Sequence, residues 1–392
     1  MSSRRGVRLA ALGVVVLLAG WLAGYAKERG PDVVYVPTPT EVVAEMLQTA
    51  KVGRGEIVYD LGCGDGRIVI TAIEKFRAKK GVGIDIDPER IKECHENARK
   101  STVGERVTFL RQDLFDTDFS EATVVTLYLL PELNHRLRPT LLRQLRPGDR
   151  IVSHAFDMKE WQADKTIDVT GPDGGGTVYY WIVPGGAAGT WQWTLPKTEG
   201  EEEFRLHLRQ RFQTVSGSVE VDGKRLPIVD ATLTGDRLGF GFARETDGKN
   251  VKMTFAGRII GDALSGTVEN QGGSATGKRD WTANRARPDL VGAWQWTLNE
   301  KPAVLRIESR DGRRYGALLI DKRRQPVSQF YVWGAGVYFI VGGDVDQTFE
   351  GVVEGERIVG TVTGNGGTAQ EWTAQRSPKG GGRSAGAKPE KT

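Results

Sequence analysis

The chain has 392 residues, with 54 basic and 50 acidic side chains and a net charge of +4. That length exceeds one ordinary domain and suits two or three, and the near-balance of charge gives no call for a nucleic-acid partner. Two cysteines, Cys63 and Cys94, are too few for a disulfide-stapled secreted domain, and both read as free thiols.

Residues 9–26 (LAALGVVVLLAGWLAGYA) form an apolar, uncharged run about as long as a minimal membrane helix. Arg4, Arg5 and Arg8 precede it, and Lys27, Glu28 and Arg29 follow. The run reads as a single membrane anchor over residues 1–29. A cleaved signal peptide is the alternative, with Gly24-Tyr25-Ala26 as a small-x-small cleavage site. The charge bias favours an N-inside orientation, which carries the rest of the chain out of the cytoplasm.

From residue 41 to 184, strand-like and helix-like segments alternate. Strands are expected at 56–61, 81–86, 106–110, 123–129, 150–155 and 177–183, with helices at 66–76, 88–100 and 133–145. This alternation is the signature of a parallel sheet with helices on both faces. The expected architecture is therefore α/β: a Rossmann-like, seven-stranded, mostly parallel sheet over residues 30–186.

Beyond Pro184 the pattern changes to β-type segments separated by Gly, Asp and Asn turns. An internal repeat lies here. Gly189-Thr190-Trp191-Gln192-Trp193-Thr194-Leu195 recurs as Gly292-Ala293-Trp294-Gln295-Trp296-Thr297-Leu298. Asp280-Trp281-Thr282-Ala283-Asn284-Arg285 recurs as Glu371-Trp372-Thr373-Ala374-Gln375-Arg376. Two β-rich units are expected, at 187–288 and 289–377, of small-barrel or sandwich type, as separate bodies or as halves of one. Their paired tryptophans suit either a barrel core or a ligand-binding mouth. Residues 378–392, rich in Gly, Lys, Ser and Pro, are expected to be a disordered tail.

The richest stretch is Val58-Tyr59-Asp60-Leu61-Gly62-Cys63-Gly64-Asp65-Gly66-Arg67. A hydrophobic strand runs into a loop with glycine at three alternating positions and then into a helix. Glycines permit sharp turns and close approach to a ligand. Asp60 ends the strand, where it can accept from an ammonium group. About 20 residues on, the next strand ends in Asp85, where a carboxylate can accept ribose hydroxyls. The third leads to Asp113, Leu114 and Phe115, placed to meet an adenine amine and ring. Each aspartate alone also suits a turn or cap. Together, at the carboxyl ends of neighbouring strands, they outline one crevice.

This pattern resembles the class I S-adenosylmethionine (SAM) dependent methyltransferases. The resemblance implies SAM as cofactor, with Gly62, Gly64 and Gly66 along its methionine part, Asp85 on the ribose and Asp113 at the adenine. Tyr35-Val36-Pro37-Thr38-Pro39, Thr126-Leu127-Tyr128-Leu129-Leu130-Pro131 and Ser153-His154-Ala155-Phe156-Asp157 narrow it. With the apolar N-terminus, these are similar to the membrane-anchored protein-lysine methyltransferases of the ATP synthase c subunit and adenine nucleotide translocase type. A protein substrate, possibly itself in a membrane, is implied. Those enzymes are single-domain, so the β-rich repeat is an addition to their pattern.

Methyl transfer from a sulfonium needs alignment and exclusion of water. Tyr35, Thr38, Tyr128 and His154 are the candidate catalytic and acceptor-site residues. Tyr35 and Thr38 suit a lid, Tyr128 a crevice wall and His154 a proton acceptor. No metal-ligand spacing occurs, and no metal is expected. A protein lysine is the expected acceptor. The alternatives are a small-molecule or lipid methyltransferase and an exported binding protein built on a non-catalytic methyltransferase-like scaffold. SAM dependence places the catalytic domain on the cytoplasmic side of the membrane, against the N-terminal charge bias.

Overall fold

A computed structural model describes residues 35–377, apart from 198–199, 247, 273–276, 287–289, 311–312, 334, 343–346 and 365–368. The apolar run at 9–26 and the tail at 378–392 lie outside the described residues. Among the described residues, no helix is long and apolar enough to cross a membrane.

The first half is built on seven strands: β1 (Ile57–Leu61), β2 (Lys80–Asp85), β3 (Val107–Arg111), β4 (Val124–Leu127), β5 (Arg150–His154), β6 (Lys165–Val169) and β7 (Gly176–Ile182). They form one sheet in the order β3-β2-β1-β4-β5-β7-β6. The first five run parallel. β7 is antiparallel to both β5 and β6. Strand order reverses between β1 and β4, which opens a crevice at their carboxyl ends.

The central strands are buried on both faces because their apolar residues serve two cores. Val58, Val124, Val152 and Val178 face one way and pack with α1 (Thr40–Thr49), α2 (Arg67–Glu74) and α3 (Pro88–Arg99). Tyr59, Val125, Ile151 and Trp181 face the other way and pack with Leu137 and Leu141 of α4 (Pro131–Gln144). Helix starts follow local chemistry. The Asp87 carboxylate accepts from the Glu89 N–H at 2.8 Å, with Pro88 in the first turn of α3.

Three expectations need correction. β4 ends at Leu127 rather than at residue 129, because β1 stops at Leu61, which pairs with Leu127. Tyr128 and Leu129 are thereby freed from the sheet. α4 begins at Pro131, two residues early, since proline fits the first helical turn. β6 was not foreseen: Lys-Thr-Ile-Asp-Val is a mostly exposed edge strand with little apolar content.

The second half holds two nine-stranded antiparallel sheets of identical order. The first begins with Gly189–Pro196, which pairs with Glu201–Arg211 on one side and Gly277–Arg285 on the other. Its end strands, Lys224–Pro227 and Val229–Thr234, are separated by one residue. The sheet therefore curls round and nearly closes into a barrel. The second repeats this plan from Gly292–Leu298 to Gln370–Arg376. The repeats are two separate bodies, each with its own core.

The repeated tryptophans make those cores. Trp191 and Trp294 are fully buried, and Trp193 stacks on Phe204 at 5.2 Å and meets Trp281 at 5.0 Å. Each copy ends in an arginine lying over the first tryptophan: Arg285 over Trp191 at 4.1 Å and Arg376 over Trp294 at 4.4 Å. The tryptophans are thus packed core and do not line a mouth. A hairpin tip of the first barrel docks on the sheet domain, where Phe212 stacks on Trp161 at 5.6 Å.

Candidate active site

The loop after β1 adopts its course only because of its glycines. Gly62, Gly64 and Gly66 all have positive φ, at 85°, 54° and 79°. A β-carbon on Gly64 would lie 2.1 Å from the Tyr35 ring, and one on Gly66 would lie 2.7 Å from Phe109. The loop is tied to β2: Gly62 and Cys63 donate N–H bonds to the Ile84 carbonyl at 2.8 and 2.9 Å. α2 then starts behind Gly66, which has no side chain to cap it, and the Arg67 N–H donates to the Asp65 carboxylate at 3.2 Å.

Asp60 and Asp85 stand on either side of this loop. Asp60 is 2% exposed and accepts from the Thr126 hydroxyl at 2.7 Å, its neighbour in the β1–β4 register. Burial pushes its carboxyl up to about 7, against the Thr126 hydrogen bond, with Asp85 and Asp65 adding to the rise. Such a group favours a cation beside it. Asp85 accepts from the Gly64 N–H and the Asp87 N–H, each at 3.0 Å. Burial raises this carboxyl, and those N–H bonds oppose the rise.

Asp113 lies just beyond β3 and accepts from the Phe115 N–H at 3.0 Å, shaping its own loop. The Gln112 N–H donates to the Asp85 carbonyl at 3.0 Å, so the Asp113 loop sits beside the end of β2. Leu114 packs with Phe115 against the α4-side core.

The four other candidates divide. The Tyr35 ring covers Gly64 and lies under the Arg90 guanidinium at 4.8 Å. Burial and the neighbouring Asp65 carry its phenol up to about 12, so it is a neutral cover. Thr38 is 4% exposed, and its carbonyl accepts from Arg67 at 3.0 Å. It therefore anchors the segment that carries Tyr35. Tyr128 and His154, at the ends of adjacent strands, have ring centroids 3.9 Å apart. His154 is 3% exposed, burial lowers its basicity, and its Nδ1 has no hydrogen-bond partner. The residue after it, Ala155, has a φ of 65°, a left-handed turn that ends β5 beside the crevice.

Cys63 and Cys94 are free and buried behind the loop, their sulfurs 3.7 Å apart. The Cys94 thiol also donates to the Gly64 carbonyl at 3.1 Å. Contact with Cys94, together with burial, raises the Cys63 thiol well above the ordinary range. Both thiols are packing groups under the crevice.

Comparison with known proteins accords with this geometry. The ANTKMT methyltransferase domain family matches residues 60–165. A protein-lysine N-methyltransferase of Saccharolobus islandicus is 47% identical over 153 residues, 39% of this chain and 95% of that protein. The chain belongs to the SAM-dependent methyltransferases. The human lysine N-methyltransferase of the ATP synthase c subunit is 31% identical over 133 residues, 33% of this chain and 54% of that protein. A crystal structure of an RNA methyltransferase from Salinibacter ruber, in complex with S-adenosyl-L-homocysteine, is 52% identical, covering 38% of this chain and 93% of that one, with a TM-score of 0.36. The cofactor of this methyltransferase is SAM, and the crevice fits it. A buried carboxylate lies at Asp60, the bare backbone at Gly62 and Gly64 lets Leu129 and the Tyr35 ring close directly on the loop, and a second carboxylate stands at Asp85.

One residue near the end of β5 escaped the sequence reading. Glu41, in the first turn of α1, has a buried carboxylate oxygen without a hydrogen-bond partner. A first-turn acid ordinarily reads as a partner for the helix N-terminus, so only its surroundings mark it out.

Proposed function

We propose that this methyltransferase modifies the side-chain amine of a protein lysine. The observation that carries the reading is the 47% identity to a protein-lysine N-methyltransferase along 95% of that protein's length. Bound SAM supplies a methyl carbon on a sulfonium: the acceptor nitrogen's lone pair forms the N–C bond while the C–S bond breaks with its pair on sulfur. Asp60 would hold the cofactor's ammonium, Asp85 its ribose hydroxyls and Asp113 with Leu114 its adenine. Tyr35 would cover the bound cofactor and exclude water. Tyr128 and His154 would wall the acceptor side, where a dry setting helps an amine lose its proton.

The run at 9–26 supports a single membrane anchor and SAM dependence supports a cytoplasmic catalytic domain, an arrangement that would bring a membrane protein within reach. An RNA acceptor is the outcome that would count against this reading. The two separate in one experiment. The full chain is incubated with methyl-labelled SAM and a cell extract, and the products are treated with protease or ribonuclease. Label released by protease and recovered as methylated lysine is expected. Label released by ribonuclease, or none in protein, would overturn the proposal.

A further inference from the structure

The loop joining β6 to β7 packs on the start of α1 and the end of β5 through its glycines. Val169 pairs with Gly176, and the Gly174 N–H donates to the Gly171 carbonyl at 3.1 Å, which folds the loop into a tight turn. The loop's glycines lie directly on three residues from elsewhere in the domain. A β-carbon on Gly171 would lie 2.4 Å from Glu41, one on Gly174 would lie 3.3 Å from Pro39, and one on Gly176 would lie 2.2 Å from His154 Nε2. Glu41 and His154 therefore press against the same end of one hairpin, and His154 continues to the Tyr128 ring.

Each presents a buried polar atom that nothing satisfies: Glu41 Oε2 and His154 Nδ1. An unpaired buried polar atom is costly, and two on side chains that meet one hairpin call for a ligand that supplies hydrogen-bond donors. Both atoms can act as acceptors, Nδ1 when the imidazole proton is on Nε2. A group with several donors and a positive charge matches them, and an alkylammonium is the simplest such group. The structure offers three further constraints. The hairpin's glycines leave no side chain to fill the contact. Tyr128 supplies an aromatic wall, and Asp60 sits across β4 from this end of β5.

We infer that Glu41 and His154 form the amine-receiving end of the crevice, selecting an acceptor that arrives as an ammonium. This rests on the lysine reading above and names the residues that enforce it. Glu41 supplies the charge, and His154 accepts a hydrogen bond from the same nitrogen. Neither is needed to hold the cofactor.

The test uses the full chain saturated with S-adenosyl-L-homocysteine and two short peptides, one with a single central lysine and one with norleucine there. Norleucine keeps the alkyl chain and lacks the ammonium. Calorimetry on the parent chain should show a preference for the lysine peptide of about tenfold or more, the scale of one charge-assisted hydrogen bond. Glu41→Gln and His154→Gln should each reduce that preference, Glu41→Gln the more, with affinity for S-adenosyl-L-homocysteine unchanged as the measure of an intact fold. A parent preference retained in full by both variants overturns the inference and leaves the lysine reading standing. A parent chain that binds S-adenosyl-L-homocysteine but shows no lysine preference overturns both.

Discussion

The Asp85 carboxylate accepts a hydrogen bond from the Gly64 N–H at 3.0 Å, which joins the end of β2 to the middle of the loop after β1. Two motifs 21 residues apart are thus one structural unit. The shape of the glycine loop and the direction of the acidic side chain fix each other before any cofactor arrives, the kind of preorganisation that lowers the entropy cost of binding.

Gly64→Ala should break that unit. The added methyl meets the Tyr35 ring at 2.1 Å on a backbone held at a φ of 54°. The left-handed conformation alone costs about 1–2 kcal/mol for a residue with a β-carbon. SAM affinity, read by calorimetry, should fall by about tenfold or more, with a smaller loss of thermal stability confined to the sheet domain.

Asp60 gives the cofactor site a pH dependence. Its carboxyl keeps its proton up to about 7 in the folded chain, whereas an unfolded aspartate ionises near about 3.9. The protonated acid therefore favours the folded state fully below the unfolded value, and that contribution is lost as pH rises through about 7. A cationic ligand reverses the preference, because it binds the ionised form. SAM affinity should strengthen by about tenfold between roughly pH 6 and pH 8, and Asp60→Asn should bind weakly with no pH dependence over that range.

The arginine at the end of the first repeat should be a keystone of its barrel. Arg285 is buried, lies over Trp191, and donates to the carbonyls of Ala188 and Gly186. Arg285→Ala removes the cation–π contact and leaves two carbonyls unpaired, a loss of about 2–4 kcal/mol. Tryptophan fluorescence during denaturation should show the barrel unfolding early, while SAM affinity in native conditions stays at the parent value.

The two thiols under the loop should be inert. Cys63 is held in its thiol form by contact with Cys94 and by burial, and the thiolate is the reactive species. Iodoacetamide near neutral pH should label neither cysteine in the folded chain and both in denaturant, as read by mass spectrometry.

Much of the sheet domain was legible because its signals are local. The hydrophobic runs at Val58, Val82 and Val124 announce buried strands, and the glycines at 62, 64 and 66 announce a turn that only glycine takes easily. The repeat of Trp191 and Trp193 at Trp294 and Trp296 fixed the number of β units, but not whether they form one body or two. That depends on how sheet edges meet, which composition does not encode. β6 was missed because an exposed edge strand needs little apolar content. Glu41 was missed because its significance lies in a hairpin 130 residues further on, where Gly171 presses against it. The Thr38 carbonyl accepts from Arg67, a contact between distant segments that no local pattern announces.

The most direct test of the crevice is calorimetric titration of SAM into the full chain, with Asp85→Ala as its companion measurement. Saturable binding in the micromolar range, lost on Asp85→Ala while the chain stays folded, is the predicted result. A folded parent chain that takes up no SAM, or an Asp85→Ala chain that binds as tightly as the parent, would contradict the account.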